Sequence, residues 1–565
     1  MRELAPLARL AWVLGAWGLL FLGTPGNLFP DGSGLLAIAG IALWGCSSCR
    51  PGRKAFWIEW LAAAIGISAI CWWTTLVVLI TLLGVAIVPA LYMGLAGVML
   101  RALARRIPLA FAVPLAWVGF ETARAWIEPP FGFGWLRLGH YFSVTPFAGS
   151  ARVWGVMGLS FAAAGCAGAL ADLISRRLRM TGQAGAPNGR GQAARAWIAR
   201  ALATGPLALA PVMSLATSPP PMEPGPRLLL VQPSFEQHRK MDNGDLLPEL
   251  LARTREGAAA SPARGGRPAI DLVCWGESLL QEYFESEGLE SALTRGEHPP
   301  VWDRSFPGLA SLRANERGVR DMLLSRKVMP PGAAFVTGTD VYLSRGGEIR
   351  RTTVAMVWGP DGQRLGWGAK HHLVPGGETM CGLERWAWVR DAAFSLAGYI
   401  PDLVPGEQTG VLTLPVAGFR SVRLGLSICF DNTFDDPYTE PLRNGALDAH
   451  LVLSNEAWYE ETNEYDHMLA FSRLAAIESG RAMARVTNSG ISCLFAADGS
   501  EISRLRVGGK DRMVGGSLLV DVPVPVAGHE GDRTPYVCAE PWLRWLLVLA
   551  PWLVLLLWRP RAVTP

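Results

Sequence analysis

The chain has 565 residues, 50% of them hydrophobic and 18% charged, with 23 Trp and a mean hydropathy of +0.23. That is too apolar for an ordinary soluble enzyme and too long for one domain, so a membrane protein with a separate globular part is the first expectation. The net charge of +4 divides into +11 over residues 1–216 and −7 over 217–565, and neither half gathers the basic patch of a nucleic-acid-binding protein.

Apolar runs of about 18 residues are long enough to cross a hydrocarbon core roughly 30 Å thick as helices. Seven such runs lie near 6–22, 33–48, 55–72, 75–100, 107–123, 153–174 and 197–216, and an eighth near 541–558. The first is no signal peptide, because no small-residue cleavage site is evident and further spans follow at once. Lys and Arg in short loops resist translocation. They cluster in alternate loops: Arg2 and Arg9; Arg50, Arg53 and Lys54; Arg101, Arg105 and Arg106; Arg176, Arg177, Arg179, Arg190 and Arg195; Arg559 and Arg561. Eight spans with both termini in the cytoplasm satisfy this alternation and put the segment between the last two spans on the extracytoplasmic side.

The predicted domains are therefore a seven-helix membrane domain (1–216), an extracytoplasmic domain (217–540), and an eighth helix with a short cytoplasmic tail (541–565). A Gly/Ala/Gln-rich stretch over 181–196 reads as a flexible cytoplasmic loop, and Pro219-Pro220-Pro221 with Pro224 as a stiff exit from the membrane. Within 225–525, short β-rich apolar runs at 227–232, 271–275, 334–342, 352–358, 423–430, 450–454 and 484–487 alternate with amphipathic stretches, the pattern of an α/β layered domain. Nine scattered cysteines form no disulfide framework, so free thiols are expected.

Three segments hold residues that could carry chemistry, two of them at the ends of predicted strands. Gly425-Leu426-Ser427-Ile428-Cys429-Phe430-Asp431 sets a thiol where an apolar strand meets a polar turn; alone, such a Cys is usually a small hydrophobe. Leu272-Val273-Cys274-Trp275-Gly276-Glu277-Ser278 ends in a carboxylate, and Lys370-His371-His372-Leu373-Val374-Pro375-Gly376-Gly377-Glu378 opens a Gly/Pro-rich loop with a lysine. A nucleophilic thiol needs a base and oxyanion donors, and the domain contains residue types that supply them.

These strings, with Ser454-Asn455-Glu456-Ala457-Trp458-Tyr459, Arg485, Asn488, Gly490 and Ile491, resemble the nitrilase superfamily, whose triad runs Glu, Lys, Cys in that chain order. With seven spans before, one after, Gly155-Val156-Met157-Gly158-Leu159-Ser160-Phe161 and Thr534-Pro535-Tyr536, the resemblance narrows to its membrane-embedded branch, the apolipoprotein N-acyltransferase family. The implied fold is a multi-pass α-helical membrane domain of eight transmembrane helices plus an extracytoplasmic α/β nitrilase-like domain, an α-β-β-α sandwich. The implied site has Glu277 as base, Lys370 as oxyanion-stabilising cation and Cys429 as nucleophile, supported by Glu378 and by Asp431, which stands where the family usually has Glu. Phe430, Trp458, Asn455 and His372 are oxyanion or substrate-binding candidates.

The implied reaction moves an acyl chain from a membrane phospholipid, through a thioester, to the α-amino group of a diacylglyceryl apolipoprotein. It needs no cofactor or metal, takes place at the bilayer of a bacterial inner membrane with the catalytic domain periplasmic, and involves a monomer and no nucleic acid. A membrane-tethered amidase with the same triad, or a non-catalytic lipid-binding or partner-binding protein, are the alternatives. The chain departs from the family pattern at Gly276 (commonly Pro), Pro233-Ser234 (Gly-Asn), Met241 (Trp) and Phe430 (Tyr), and its 281–331 segment is longer than usual.

Other features carry less. Cys46-Ser47-Ser48-Cys49 has no second pair of ligands. His371-His372 beside Glu378 suggests a metal as one reading, but no third and fourth ligands at zinc spacing are visible, and a loop-fixing role is the stronger one. Glu121 and Arg124 read as a snorkelling pair, and 131–135 as either an apolar loop dipping into the outer leaflet or simple packing.

Overall fold

The computed structural model describes residues 3–77, 79–126, 132–135, 137–180, 190–241, 246–303, 305–325, 329–407 and 410–558. Arg2, Phe131, Arg559, Arg561, most of the loop expected over 181–196, and the side chain of Met241 lie outside the described residues. Two compact units result: Met1–Ser218 with Asp466–Leu474 and Thr534–Pro565, and Pro219–Tyr465 with Ala475–Arg533.

In the first unit, helices occupy all eight apolar runs: Pro6–Gly23, Gly34–Ser48, Ala55–Ile70, Leu79–Ala104, Leu109–Trp126, Ala151–Met180, Arg190–Ala216 and Pro535–Leu557. Among the described residues, five helices are long and apolar enough to cross a membrane: Pro6–Gly23, Gly84–Ala104, Ala148–Arg177, Ala194–Ala216 and Pro535–Leu557; Gly34–Ser48 and Ala55–Ile70 are shorter. The last helix starts before the predicted position 541 because the Thr534 side chain caps it, accepting from Val537 N, with Pro535 in the first turn. Its early turns hold Glu540, paired with Arg544, so hydropathy understates its length.

Glu59, the acidic residue inside the third run, is 1% exposed and accepts from Arg9 Nη1 at 2.8 Å and Arg101 Nη1 at 2.7 Å. A carboxylate is tolerated there because two guanidinium groups compensate its desolvation. The snorkelling reading of Glu121 and Arg124 is corrected: both are buried. Glu121 Oε2 accepts from Trp117 Nε1 and Leu138 N, and Arg124 Nη2 donates to Trp135 O at 2.7 Å. These bonds hold residues 132–135 and 137–138 inward; Phe133 and Trp135 are buried, and the Trp135 indole donates to His467 Nδ1. Of the two readings of that loop, packing is the one observed for its described residues.

The second unit is built on two sheets. The first contains β1 (Met222–Gln232), β2 (Leu272–Trp275), β3 (Tyr283–Glu285), β4 (Ala334–Arg345), β5 (Glu348–Trp358), β6 (Arg364–Ala369) and, from the end of the unit, β13 (Gly516–Pro525), in the order β13-β1-β2-β4-β5-β6 with β3 on β4. The second contains β7 (Gly410–Leu414), β8 (Val422–Ile428), β9 (Ala449–Ser454), β10 (Ala482–Thr487), β11 (Cys493–Phe495) and β12 (Glu501–Arg504), in the order β12-β11-β10-β9-β8-β7. Within them β1-β2-β4 and β8-β9-β10 are parallel. Every run predicted as a strand contains one, because strands buried on both faces read as continuous apolar stretches, whether paired in parallel as β1, β2, β4, β8, β9 and β10 are or antiparallel as β5 is. The last two residues of the 423–430 run open a 3-10 turn instead.

Alternation sorts their side chains. Leu228, Leu230, Cys274 and Val336 join Leu424, Leu426, Leu451 and Ala484 of the other sheet in one core. Leu229, Val231 and Val273 face the opposite way, onto Leu250 and Val319 of helices Leu247–Ala259 and Leu309–Leu324. The long 281–331 segment builds a satellite core of Leu289, Ala292 and Leu312 on Tyr342 and Ile349. All nine cysteines are free.

His450, on β9, is 1% exposed, and neither ring nitrogen has a hydrogen-bond partner among the described residues. Burial, aided by Arg481, pushes its pKa down to about 3. The folded state therefore excludes a proton that the unfolded chain accepts near pH 6.5, so stability falls as pH drops below that value, by about 1.4 kcal/mol per pH unit. Thermal unfolding of the detergent-solubilised protein should show the second unit losing about 2 kcal/mol between pH 7 and pH 5. His450→Leu should flatten that dependence; an unchanged slope would assign it to other groups.

Candidate active site

Three strand ends deliver the predicted triad. Glu277 lies two residues beyond β2, Lys370 directly follows β6, and Cys429 directly follows β8. Cys429 opens a 3-10 turn over Cys429–Thr433 with φ +48°, a left-handed conformation that non-glycine residues seldom adopt. The reversal ends the strand within one residue and leaves the thiol half-buried, while its neighbours Ile428 and Phe430 are buried.

Lys370 is 0% exposed, and its Nζ donates to Glu277 Oε1 at 2.9 Å and to Glu378 Oε1 at 2.6 Å. The other oxygen of Glu378 accepts from Val374 N, closing the loop on itself. Burial opposes the Lys370 charge, but Glu277, Glu378 and Cys429 outweigh it and hold the ammonium well above the usual lysine range. Burial raises Glu378, partly offset by Lys370. Burial, then Glu277, pushes the Cys429 thiol well up against the opposing pull of Lys370. The thiol is thus held protonated at rest, and a nucleophilic role would require a base.

Asp431 ties two loops together. Its Oδ1 accepts from His372 N at 2.7 Å and His371 N at 3.1 Å, and its Oδ2 accepts from Ile428 N at 3.0 Å. One carboxylate thereby sets the loop after Lys370 against the turn that carries Cys429. His372 stacks on Phe434 at 3.7 Å between ring centroids, with Nε2 2.8 Å from Asp436 Oδ2. Asn455 is buried, with its amide donating to Gln237 Oε1 and its oxygen accepting from Asn488 Nδ2, so it braces the loops around the site. Trp458 is half-buried, and Glu456 beside it pairs with Arg485.

Residues 26–169 match the apolipoprotein N-acyltransferase N-terminal domain and residues 251–511 the carbon-nitrogen hydrolase domain. An apolipoprotein N-acyltransferase of Geobacter metallireducens is 26% identical over 500 residues, covering 83% of each chain. One of Rhizobium rhizogenes is 27% identical, covering 88% of this chain and 87% of its own. The chain belongs to the apolipoprotein N-acyltransferase family. It is accordingly an acyltransferase of the nitrilase superfamily, with a nitrilase-like second unit and apolar helices of a membrane protein. Among solved structures, an amidase from Nesterenkonia sp. AN1 is 17% identical, covering 57% of this chain and 99% of its own at a TM-score of 0.35.

Family motifs did not single out Gly338, Gly406 or Asp436. Gly406 N donates to Lys370 O at 2.7 Å and Gly338 N to Gly276 O at 3.0 Å. A glycine inside an otherwise β-rich run, as at Gly338, is the one readable signal, since it marks a close backbone approach.

Proposed function

We propose that the chain transfers an acyl group from a membrane phospholipid, through a thioester on Cys429, to the α-amino group of an S-diacylglyceryl apolipoprotein. The carrying observation is a buried Lys370 held between two carboxylates, within electrostatic reach of a thiol on a left-handed turn. Glu277 takes the thiol proton as sulfur attacks the ester carbonyl. Lys370, with the N–H of Phe430, stabilises the oxyanion. Glu277 then returns the proton to the departing lysophospholipid oxygen, leaving the thioester. In the second half the acceptor amine attacks, Glu277 takes its proton, and the thiolate leaves and is reprotonated. Glu378 keeps Lys370 aimed, and Asp431 keeps the two loops in register.

In this reading the chain has eight spans, with the second unit, an α-β-β-α sandwich, on the periplasmic side of a bacterial inner membrane. Lipid access is supported by helix Ala387–Ala397, a few residues past Glu378, whose Trp388 and Phe394 are 71% and 59% exposed. Such side chains suit an interfacial helix better than one facing water.

Incubation with labelled phospholipid should give a hydroxylamine-sensitive adduct that is lost in Cys429→Ala and survives chelator treatment, because no triad member needs a metal. An adduct that persists in Cys429→Ala, or none on the native protein, overturns the proposal. Hydrolysis of small amides with no lipid adduct would favour the amidase.

A further inference from the structure

We propose that His371, His372 and Asp436 form a binding site for a divalent transition-metal ion of the zinc class, clamping the loop that follows Lys370 to the segment that follows Cys429. It is independent of the acyl-transfer reading, since none of its ligands is a triad member.

The three residues each offer a ligand atom within 4.8 Å of the others. His372 Nε2 stands 2.8 Å and His371 Nε2 3.6 Å from Asp436 Oδ2. Metal bonds of about 2.0–2.2 Å place tetrahedral ligand atoms about 3.3 Å apart, so ångström-scale side-chain adjustments complete the site.

The set is held as metal ligands are. His371 Nδ1 lies 3.2 Å from Gly406 O, a carbonyl that can only accept, so in the neutral ring the proton sits on Nδ1 and the Nε2 lone pair faces Asp436. That is the outer contact that fixes tautomer and orientation in metal-binding imidazoles. The His372 ring is immobilised by its stack on Phe434, and Asp431 grips the backbone N–H groups of both histidines. Two imidazoles and one carboxylate select zinc, cobalt or nickel over the oxygen-seeking magnesium and calcium. His371 and Asp436 are partly exposed, which leaves an entry path and room for water as a fourth ligand. Binding requires the proton shared by His372 Nε2 and Asp436 to leave that nitrogen, for Nδ1 or for solvent, so affinity declines on acidification.

The test uses tag-free, full-length protein in detergent, stripped with chelator and titrated with cobalt(II). A visible d–d absorption saturating at one equivalent, displaced by zinc(II) and indifferent to magnesium(II), is expected. His371→Ala and Asp436→Asn should each weaken cobalt binding about tenfold or more. Neither side chain takes part in the Asp431 contacts, and both variants should still form the Cys429 adduct. If a variant fails to fold, X-ray absorption of the native zinc-loaded protein decides. Nitrogen and oxygen ligands at about 2.0–2.1 Å with an imidazole signature support the site, and a sulfur shell near 2.3 Å overturns it. Absence of the absorption, or unaltered affinity in both variants, also overturns it.

Discussion

Lys370→Met should stop thioester formation, with a rate loss of at least about 10²–10³-fold, the usual effect of removing one oxyanion-stabilising group. It should also destabilise the second unit by about 3–5 kcal/mol, because Glu277 and Glu378 would be left facing one another in a buried site without their cation. The pH dependence identifies that cause. Burial already raises the proton affinity of Glu378, and removing the ammonium raises it further. A carboxyl whose folded pKa lies above its unfolded value stabilises the fold when protonated, so the variant should recover stability as pH falls through the folded value. Thermal melts from pH 8 to pH 5 check this sign. A variant that melts as the native protein does at every pH would mean the two carboxylates do not depend on Lys370.

Gly338→Ala should inactivate the enzyme without touching the triad chemically. A Cβ at Gly338 would lie 2.5 Å from Glu277 Cα and 2.6 Å from Ser278 N, backbone atoms that cannot rotate away. The added methyl must push the Glu277 segment off β4, and a displacement of about 1 Å at a catalytic base costs about 10²-fold. Overpacking of this kind also costs about 1–3 kcal/mol. The separating measurement is adduct formation from phospholipid beside alkylation of Cys429 by a small reagent. Adduct formation should collapse, whereas alkylation, which needs access to sulfur but no placed ester, should fall much less. Equal loss of both would point to general misfolding.

The strands were legible because burial on both faces removes polar residues from β1, β2, β4, β8, β9 and β10, and the positions of Glu277 and Cys429 at strand ends followed from them; Lys370 follows β6, a strand that no predicted run covers. Polar residues with buried partners were harder. Glu121 and Arg124 resembled a solvated pair because charge beside a span usually seeks water; Glu121 Oε2 instead accepts from the Trp117 indole and Leu138 N, and Arg124 Nη2 donates to Trp135 O, all inside the protein. Asn455, an oxyanion or substrate-binding candidate, donates to Gln237 and accepts from Asn488, partners that no motif announces.

Composition and periodicity alone thus determined that this chain joins a set of apolar helices to an α/β unit, and motif order supplied the residues proposed for its site. Both are local properties: apolar runs follow burial, and each motif sits within a few residues. Only the tertiary structure decided which carboxylate meets which cation. Glu277 is 93 residues from Lys370, and Asp436 is 64 residues from His372. Pairings across such separations are set by strand order and sheet packing, which leave no periodic trace in the chain.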